Sequence, residues 1–372
     1  MARQSRLLAA LAALGVFAVG SWAAASYIEE EFSPGDSPAR PILAPGAPHV
    51  PELARYLERL DLAEPLVCGR LAVVPVARRD GALEGAWLTM DQALAKNVLV
   101  VTEKGGGSVP VVFVENRSAT HHVFIMAGEV VTGGKQTRTV RQDVVLAPGQ
   151  QVNLGVFCVE AHRWNGKAEF SASGLLVPQS IQKEMRKGAD QSAVWTEVAR
   201  NNAALGTENA TGSLEEGLKD AKVQRRLAEV RATIVPEVPA GSVGFIFVDL
   251  LERRALGAEC FGRSDLARAL LPKLVDAYAV DLVLRREDKG LPMVDAKALA
   301  AAFLAQVRRA GSLRAPTPGS GAGIQTRAAG LVGDGISLGD EVVHYGCQVE
   351  ERIAPGPKPM ITPRNELERN SR

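Results

Sequence analysis

The chain of 372 residues has few aromatic side chains, 5% of the total, and no excess of either charge: 43 Lys and Arg stand against 42 Asp and Glu. So balanced a chain has no basic stripe to follow a phosphate backbone, which excludes nucleic acid as an expected partner. Cysteine is scarce: Cys68, Cys158, Cys260 and Cys347, with no C-x-x-C among them. That spacing argues against a structural zinc knuckle. Sequence does not choose among the disulfide pairings these residues allow, and buried free thiols fit equally well. No segment recurs at a fixed period, which excludes solenoids and propellers. What remains, 46% hydrophobic and 23% charged residues, is a globular balance with enough apolar material for one large core or two modest ones.

Charge is also missing from one continuous stretch. After Arg3 and Arg6, residues 7–25 read LLAALAALGVFAVGSWAAA and end in A-x-A at Ala23 and Ala25. A positive start, an apolar run and a small-residue close read as a secretory signal peptide over residues 1–25. Extended to Ile28 the run is 22 residues, long enough to span a bilayer as an uncleaved anchor with its N-terminus inside. Either way the chain is expected to be exported, periplasmic or extracellular, and to meet the membrane only through this segment. Losing residues 1–25 removes two positive charges and takes the net charge from +1 to −1. Residues 26–50, rich in Pro and acid, read as a disordered linker. Residues 351–372 read as a disordered tail, leaving 51–350 as a single domain.

Residues 50–60 form a short entry helix, with Pro51 tolerated in its first turn. From residue 66 to 160 β-branched runs such as NVLVVTEK, VPVVFVEN, HHVFIMAGEVV, TVRQDVVLA and QVNLGVFCVEA alternate with Gly, Pro and Asn. They lie too close together for repeated parallel crossovers. The fold class is therefore α+β: an N-terminal, mainly antiparallel sandwich or partly closed barrel, then helices, then a C-terminal β meander. Ser213 followed by Glu216 is a capping-box pattern at the head of one helical segment.

Two motifs carry the chemistry. The first, GEVVTGGKQTR (residues 128–138), has the glycine separation of a phosphate loop at Gly128 and Gly133. Gly134 stands where that loop needs Lys, and no Ser or Thr follows the Lys135 that comes next. A tight β-turn at Gly133 and Gly134 is the better reading. Such a turn also admits a ligand to the backbone, flanked by Lys135, Gln136 and Arg138 as cation, amide and guanidinium fork. The second motif is CVEAHRW (residues 158–164). On a strand, Cys158, Glu160 and His162 share one face, the raw material of a metal site or of a thiolate with its base. Same-face neighbours lie about 7 Å apart at Cα, which suits ordinary surface neighbours better. Arg163 and Trp164 offer a stacking pair.

These runs, with the later QSAVW ending at Trp195 and AECFGRSDLARALLPKLVDAY, resemble a bacterial and archaeal family, the ARG-and-rhodanese-phosphatase-superfamily-associated protein domain. The resemblance covers roughly residues 66–350. It implies a role in binding or processing NAD-derived nucleotides such as ADP-ribose; the cofactor is unknown from the sequence. Two functions follow. In an exported ligand-binding or scaffolding domain of the cell envelope, Glu129 or Glu160 pairs with Arg138 or Arg163 inside the fold. In a hydrolase of phosphate-bearing or glycosidic substrates, Glu129 or Glu160 is the acid/base, with Cys158 as a further catalytic candidate. There Gly133 and Gly134 admit the ligand, Lys135 and Arg138 hold its anionic groups, Gln136 orients it, and Arg163 and Trp164 clamp it. The binding reading leads, because no complete catalytic set is visible.

Overall fold

Two runs of the sequence, LAVVPVAR (Leu71–Arg78) and GFIFVD (Gly244–Asp249), are apolar on nearly every position. A sheet wet on one face would alternate; a sheet covered on both faces need not. The computed structural model shows these runs side by side in a nine-stranded antiparallel sheet covered on both sides. It describes residues 41–350 apart from 45, 82, 105–109, 283–293 and 329. The expected leader over 1–25 and the tail over 351–372 lie outside the described residues. So does most of the expected linker, but Leu43 and His49 within it are tied to the domain. Leu43 N donates to Arg327 O (2.8 Å), and His49 bridges the Ser312 hydroxyl and Val307 O. Among the described residues no helix is long and apolar enough to cross a membrane.

In chain order the first half runs α1 (Pro51–Glu58), β1 (Leu60–Leu62), β2 (Leu66–Cys68), β3 (Leu71–Arg78), β4 (Ala86–Thr89), α2 (Met90–Ala95), β5 (Leu99–Glu103) and β6 (Val111–Asn116). There follow β7 (His121–Ile125), β8 (Glu129–Gly133), β9 (Arg138–Val140), β10 (Val144–Leu146), β11 (Gln151–Cys158) and β12 (Phe170–Leu176). The helical middle holds α3 (Gln179–Lys187), α4 (Gln191–Leu205), α5 (Leu214–Leu218) and α6 (Ala221–Ile234). Then come β13 (Gly244–Asp249), β14 (Arg254–Phe261), α7 (Ser264–Leu282) and α8 (Ala296–Arg308). The meander is β15 (Leu313–Ala315), β16 (Ala322–Ala328), β17 (Leu331–Leu338) and β18 (Glu341–Val349).

The large sheet runs β1-β3-β13-β14-β18-β17-β16-β15, with β2 also on β3. The meander thus continues the strands that flank α1, rather than standing apart from the N-terminal half. Leu71, Val73, Phe245 and Phe247 face one way, against α3 to α7. Ala72, Val74, Ile246 and Val248 face the other, against α1 and α8. Helix α7 runs unbroken through Pro272.

A second β body carries the motifs. Its six-stranded sheet runs β12-β8-β9-β11-β6-β5, and its three-stranded sheet runs β10-β7-β4, with β4 and β7 parallel. The six-stranded sheet curls into a half barrel until its edges meet: Thr102 on β5 bridges Glu169, and Glu103 N donates to Ala168 O (2.9 Å). Val101, Val114, Val131, Val156, Phe170 and the inward residues of the smaller sheet fill the interior. Two runs that read as single strands are each broken. HHVFIMAGEVV turns at residues 126–128, where Gly128 has a φ of +91°, and TVRQDVVLA supplies strands to two different sheets.

The interior between the sheets is not wholly apolar. His344 on β18 hydrogen-bonds Asp143 through Nδ1 (2.6 Å) and Glu259 through Nε2 (3.2 Å). Arg186 grips Glu259 with two nitrogens (3.1 and 3.0 Å) and Asp334 with a third (2.7 Å), and Tyr278 donates to Glu259 (2.9 Å). A side chain at Gly346 would collide with both Arg186 and Glu259. Charges removed from water this far persist only when paired and hydrogen-bonded.

Candidate functional site

The first motif folds as a hairpin. β8 ends at Gly133, with φ +109°, and Gly134 follows at φ +50°. Both angles favour glycine, and space demands it as well. A Cβ on Gly133 would stand 2.7 Å from Glu169 O, and one on Gly134 would enter the Phe170 ring. The second motif locks this turn. Arg163 donates to the carbonyls of Gly133 (3.2 Å) and Gly134 (3.1 Å) and, through Nε, to Glu160 (2.9 Å). Glu160 in turn accepts the Thr137 N–H (3.0 Å). Burial pushes the Glu160 carboxyl up, but Arg163 and the Thr137 N–H outweigh it and leave it below the usual carboxylate range.

A second wall comes from residues 206–220, the loop between α4 and α6 that contains α5. Backbone bonds tie it to the first wall: Ala161 N and His162 N both donate to Thr211 O, and Leu214 N donates to Val159 O (2.9 Å). Glu215 reaches across, accepting Thr137 Oγ1 (3.3 Å), Ser173 Oγ (2.8 Å) and Lys219 Nζ (2.6 Å). Burial raises its carboxyl, and Lys219, Thr132 and Ser173 bring it below the ordinary value. Asn209 braces the loop by bonding Ser213 N (2.8 Å) and Ser213 O (2.9 Å).

Between the walls lies an open cleft of about 920 Å³. Thr132, Gly133, Thr137, Glu160 and Arg163 line one side, and Thr207, Glu208, Asn209, Ser213, Glu215, Glu216, Lys219 and Asp220 the other. Five of these carry carboxylates and two carry cations. The surface offers hydroxyls, an amide and net negative charge.

Of the residues singled out in sequence, Gly133, Glu160 and Arg163 face this cleft. Gly134 lies behind it, and Gln136 is buried between Arg138 Nη1 (3.3 Å) and Ala161 O (3.4 Å). Lys135 and Trp164 form a stacked pair, 5.2 Å from ammonium to ring, and the Arg138 guanidinium lies 5.9 Å from the same ring. Arg138 itself is fully buried against Glu103 (3.5 Å) and Cys158 Sγ. Burial raises the Cys158 thiol, only partly countered by Arg138, so it is held as a thiol rather than a thiolate. Glu129 is remote from the cleft: fully buried, it pairs with Lys273 (2.7 Å), which also holds Asp91 (2.6 Å). Burial pushes the Glu129 carboxyl up despite that ammonium.

The shared face expected for Cys158, Glu160 and His162 does not form. β11 ends at Cys158, the chain bends at Val159, and the two bonds to Thr211 O turn it away, leaving His162 exposed. All four cysteines are free thiols. Among the described residues no group of three or more His, Cys, Asp or Glu side chains is placed to hold a metal ion. Reading the sequence missed Thr137, Ser173, Glu215 and Lys219. Only Thr137 sits inside a recognised motif; Ser173 lies on β12 outside both motifs, and Glu215 and Lys219 lie in a segment whose polarity reads as ordinary helix surface.

One family profile, that of the ARG and Rhodanese-Phosphatase-superfamily-associated Protein domain, matches residues 59–347. No curated protein and no solved structure matches the chain.

Proposed function

The chain belongs to that family, and on this premise we propose that it is a ligand-binding domain of the cell envelope whose cleft takes a neutral or cationic, hydroxyl-rich molecule such as a sugar or amino sugar. The observation that carries this reading is the composition of the cleft. The Glu160–Arg163 pair of the second motif and the Gly133 turn of the first form one wall, facing a wall of hydroxyl, amide and carboxylate groups. Arg163 and Lys219 are already engaged with Glu160 and Glu215. Little positive charge is left for a diphosphate, and Glu208, Glu216 and Asp220 would repel one. The cation expected to hold phosphates, Lys135, stacks on Trp164 outside the lining. Placement in the envelope rests on the apolar run over residues 7–25.

A hydrolase is the second reading, favoured by one feature: Glu160 and Glu215 flank the same residue, Thr137. Against it, partners hold both carboxyls below their ordinary range, so neither keeps a proton to donate near neutral pH. Thermal unfolding of the full-length protein separates these readings. Neutral and amino sugars, from mono- to trisaccharide, and ADP-ribose are the probes. A sugar at about a hundred times its dissociation constant stabilises by about 2.7 kcal/mol, a shift of a few degrees. That shift should vanish in Glu215→Gln and Thr137→Val, while ADP-ribose gives none. A shift with ADP-ribose that disappears in Lys135→Ala refutes the sugar reading. Turnover of any probe that is lost in Glu160→Gln while binding persists establishes the hydrolase instead.

A further inference from the structure

A second pocket, of opposite character, lies where α6 gives way to β13. Its volume is about 220 Å³. Phe245 of β13 and Leu271 of α7, both buried, make its floor. The rim is a proline-rich loop containing Pro236, Pro239 and Ala240. Proline fixes φ, so this rim is stiff before any ligand arrives, and Ser242 N closes it onto Pro239 O (3.0 Å). The lining is apolar except for Arg268 and Ser242. Arg268 stands one turn before Leu271 on the same face of α7. Among the described residues its guanidinium makes no ion pair or hydrogen bond, and neither does the Ser242 hydroxyl.

We infer that this pocket is a binding site for a small apolar monocarboxylate, with Arg268 and Ser242 receiving the carboxylate and Phe245, Leu271 and the prolines enclosing the chain. An apolar cavity with a few polar groups at one end is the usual form of a small-molecule site. The guanidinium fork matches a carboxylate in shape and charge. Size limits the guest. At about 30 Å³ per water, the pocket holds roughly seven water volumes, the bulk of a short-chain acid such as hexanoate and too little for a long-chain lipid. This site shares no lining residue with the polar cleft, so it stands independently of the function proposed there.

The test is titration of the full-length protein with hexanoate and with hexanamide, read by calorimetry and by two-dimensional NMR. Hexanoate should bind, with perturbed resonances confined to residues 235–245 and 268–271, and hexanamide should bind at least tenfold more weakly. Arg268→Ala should cost a similar factor, and Arg268→Lys less. Ala240→Trp, a change at an exposed rim position, should block the pocket without altering the melting temperature. Equal binding of acid and amide overturns the inference, as does undiminished binding to Arg268→Ala. So does the absence of any binding at about 20 mM hexanoate, roughly 20 times the Kd of a weak site near 1 mM.

Discussion

His344 is the residue on which the interior turns. Burial alone would strip its proton, but Asp143 on one nitrogen and Glu259 on the other raise its pKa from 6.5 to about 9. Phe124 and Phe261 pack on its ring, at 5.6 and 4.7 Å between centroids, and exclude water. For Glu259 burial also opposes the charge, yet Arg186 and His344 pull the pKa from 4.5 down to about 2. The signs differ. The contribution of His344 is complete below pH 6.5 and is lost as pH rises through about 9. That of Glu259 is complete above pH 4.5 and is lost as pH falls through about 2. The network should therefore stabilise most between pH 4.5 and 6.5. On the alkaline side up to about 3 kcal/mol should disappear. Urea midpoints at pH 6 and pH 9.5 check this, and a flat profile would falsify the charged state assigned to His344. Nothing local in DGISLGDEVVHYGCQV announces the network. Its members lie on β14, α3, α7, β17, β18 and the segment before β10, and only the fold brings them together. The cleft was partly legible for the same reason in reverse. Gly133, Glu160 and Arg163 sit in two short motifs, whereas Glu215 is placed by a loop that no spacing rule reaches.

At the scale of elements, the hairpin joining β8 to β9 shows what a turn motif can and cannot tell. Two adjacent glycines between β-branched runs signal a reversal with positive φ, and that is what forms. What the pattern could not carry is the support from outside: the Arg163 guanidinium on both glycine carbonyls, and the Phe170 ring against Gly134. Gly134→Ala must bear both a left-handed backbone and a collision with that ring. It should lose about 2–5 kcal/mol in urea unfolding. A loss below about 0.5 kcal/mol, the range of a neutral surface change, would show that Phe170 can move aside. The shared strand face for Cys158, Glu160 and His162 failed for a related reason. Alternation is trustworthy only while a strand lasts, and the end of β11 is set by Thr211, a partner on a distant loop.

For the whole molecule, sequence pattern supports α+β, a curled antiparallel body, a helical middle and a terminal meander, because each rests on local periodicity. It does not show that β3 and the meander share one sheet, since pairing over such separations leaves no local trace. Both hydrophobic faces of that sheet draw on strands from both ends of the domain. Unfolding should accordingly be one transition, with circular dichroism and Tyr and Trp fluorescence giving the same midpoint. A chain ended at residue 240 should lack a stable fold, because β3 would keep its apolar faces but lose β13. A truncated chain with native-like proton dispersion would show that the half barrel stands alone.

The Arg70–Asp249 ion pair joins the start of β3 to the end of β13 across 179 positions. On a ribosome adding about 5–20 residues per second, β3 waits roughly 9–36 s for its neighbour. Through that interval its apolar strand is a client for chaperones. The same delay keeps the central sheet open between β3 and β13 until about two thirds of the chain has been made.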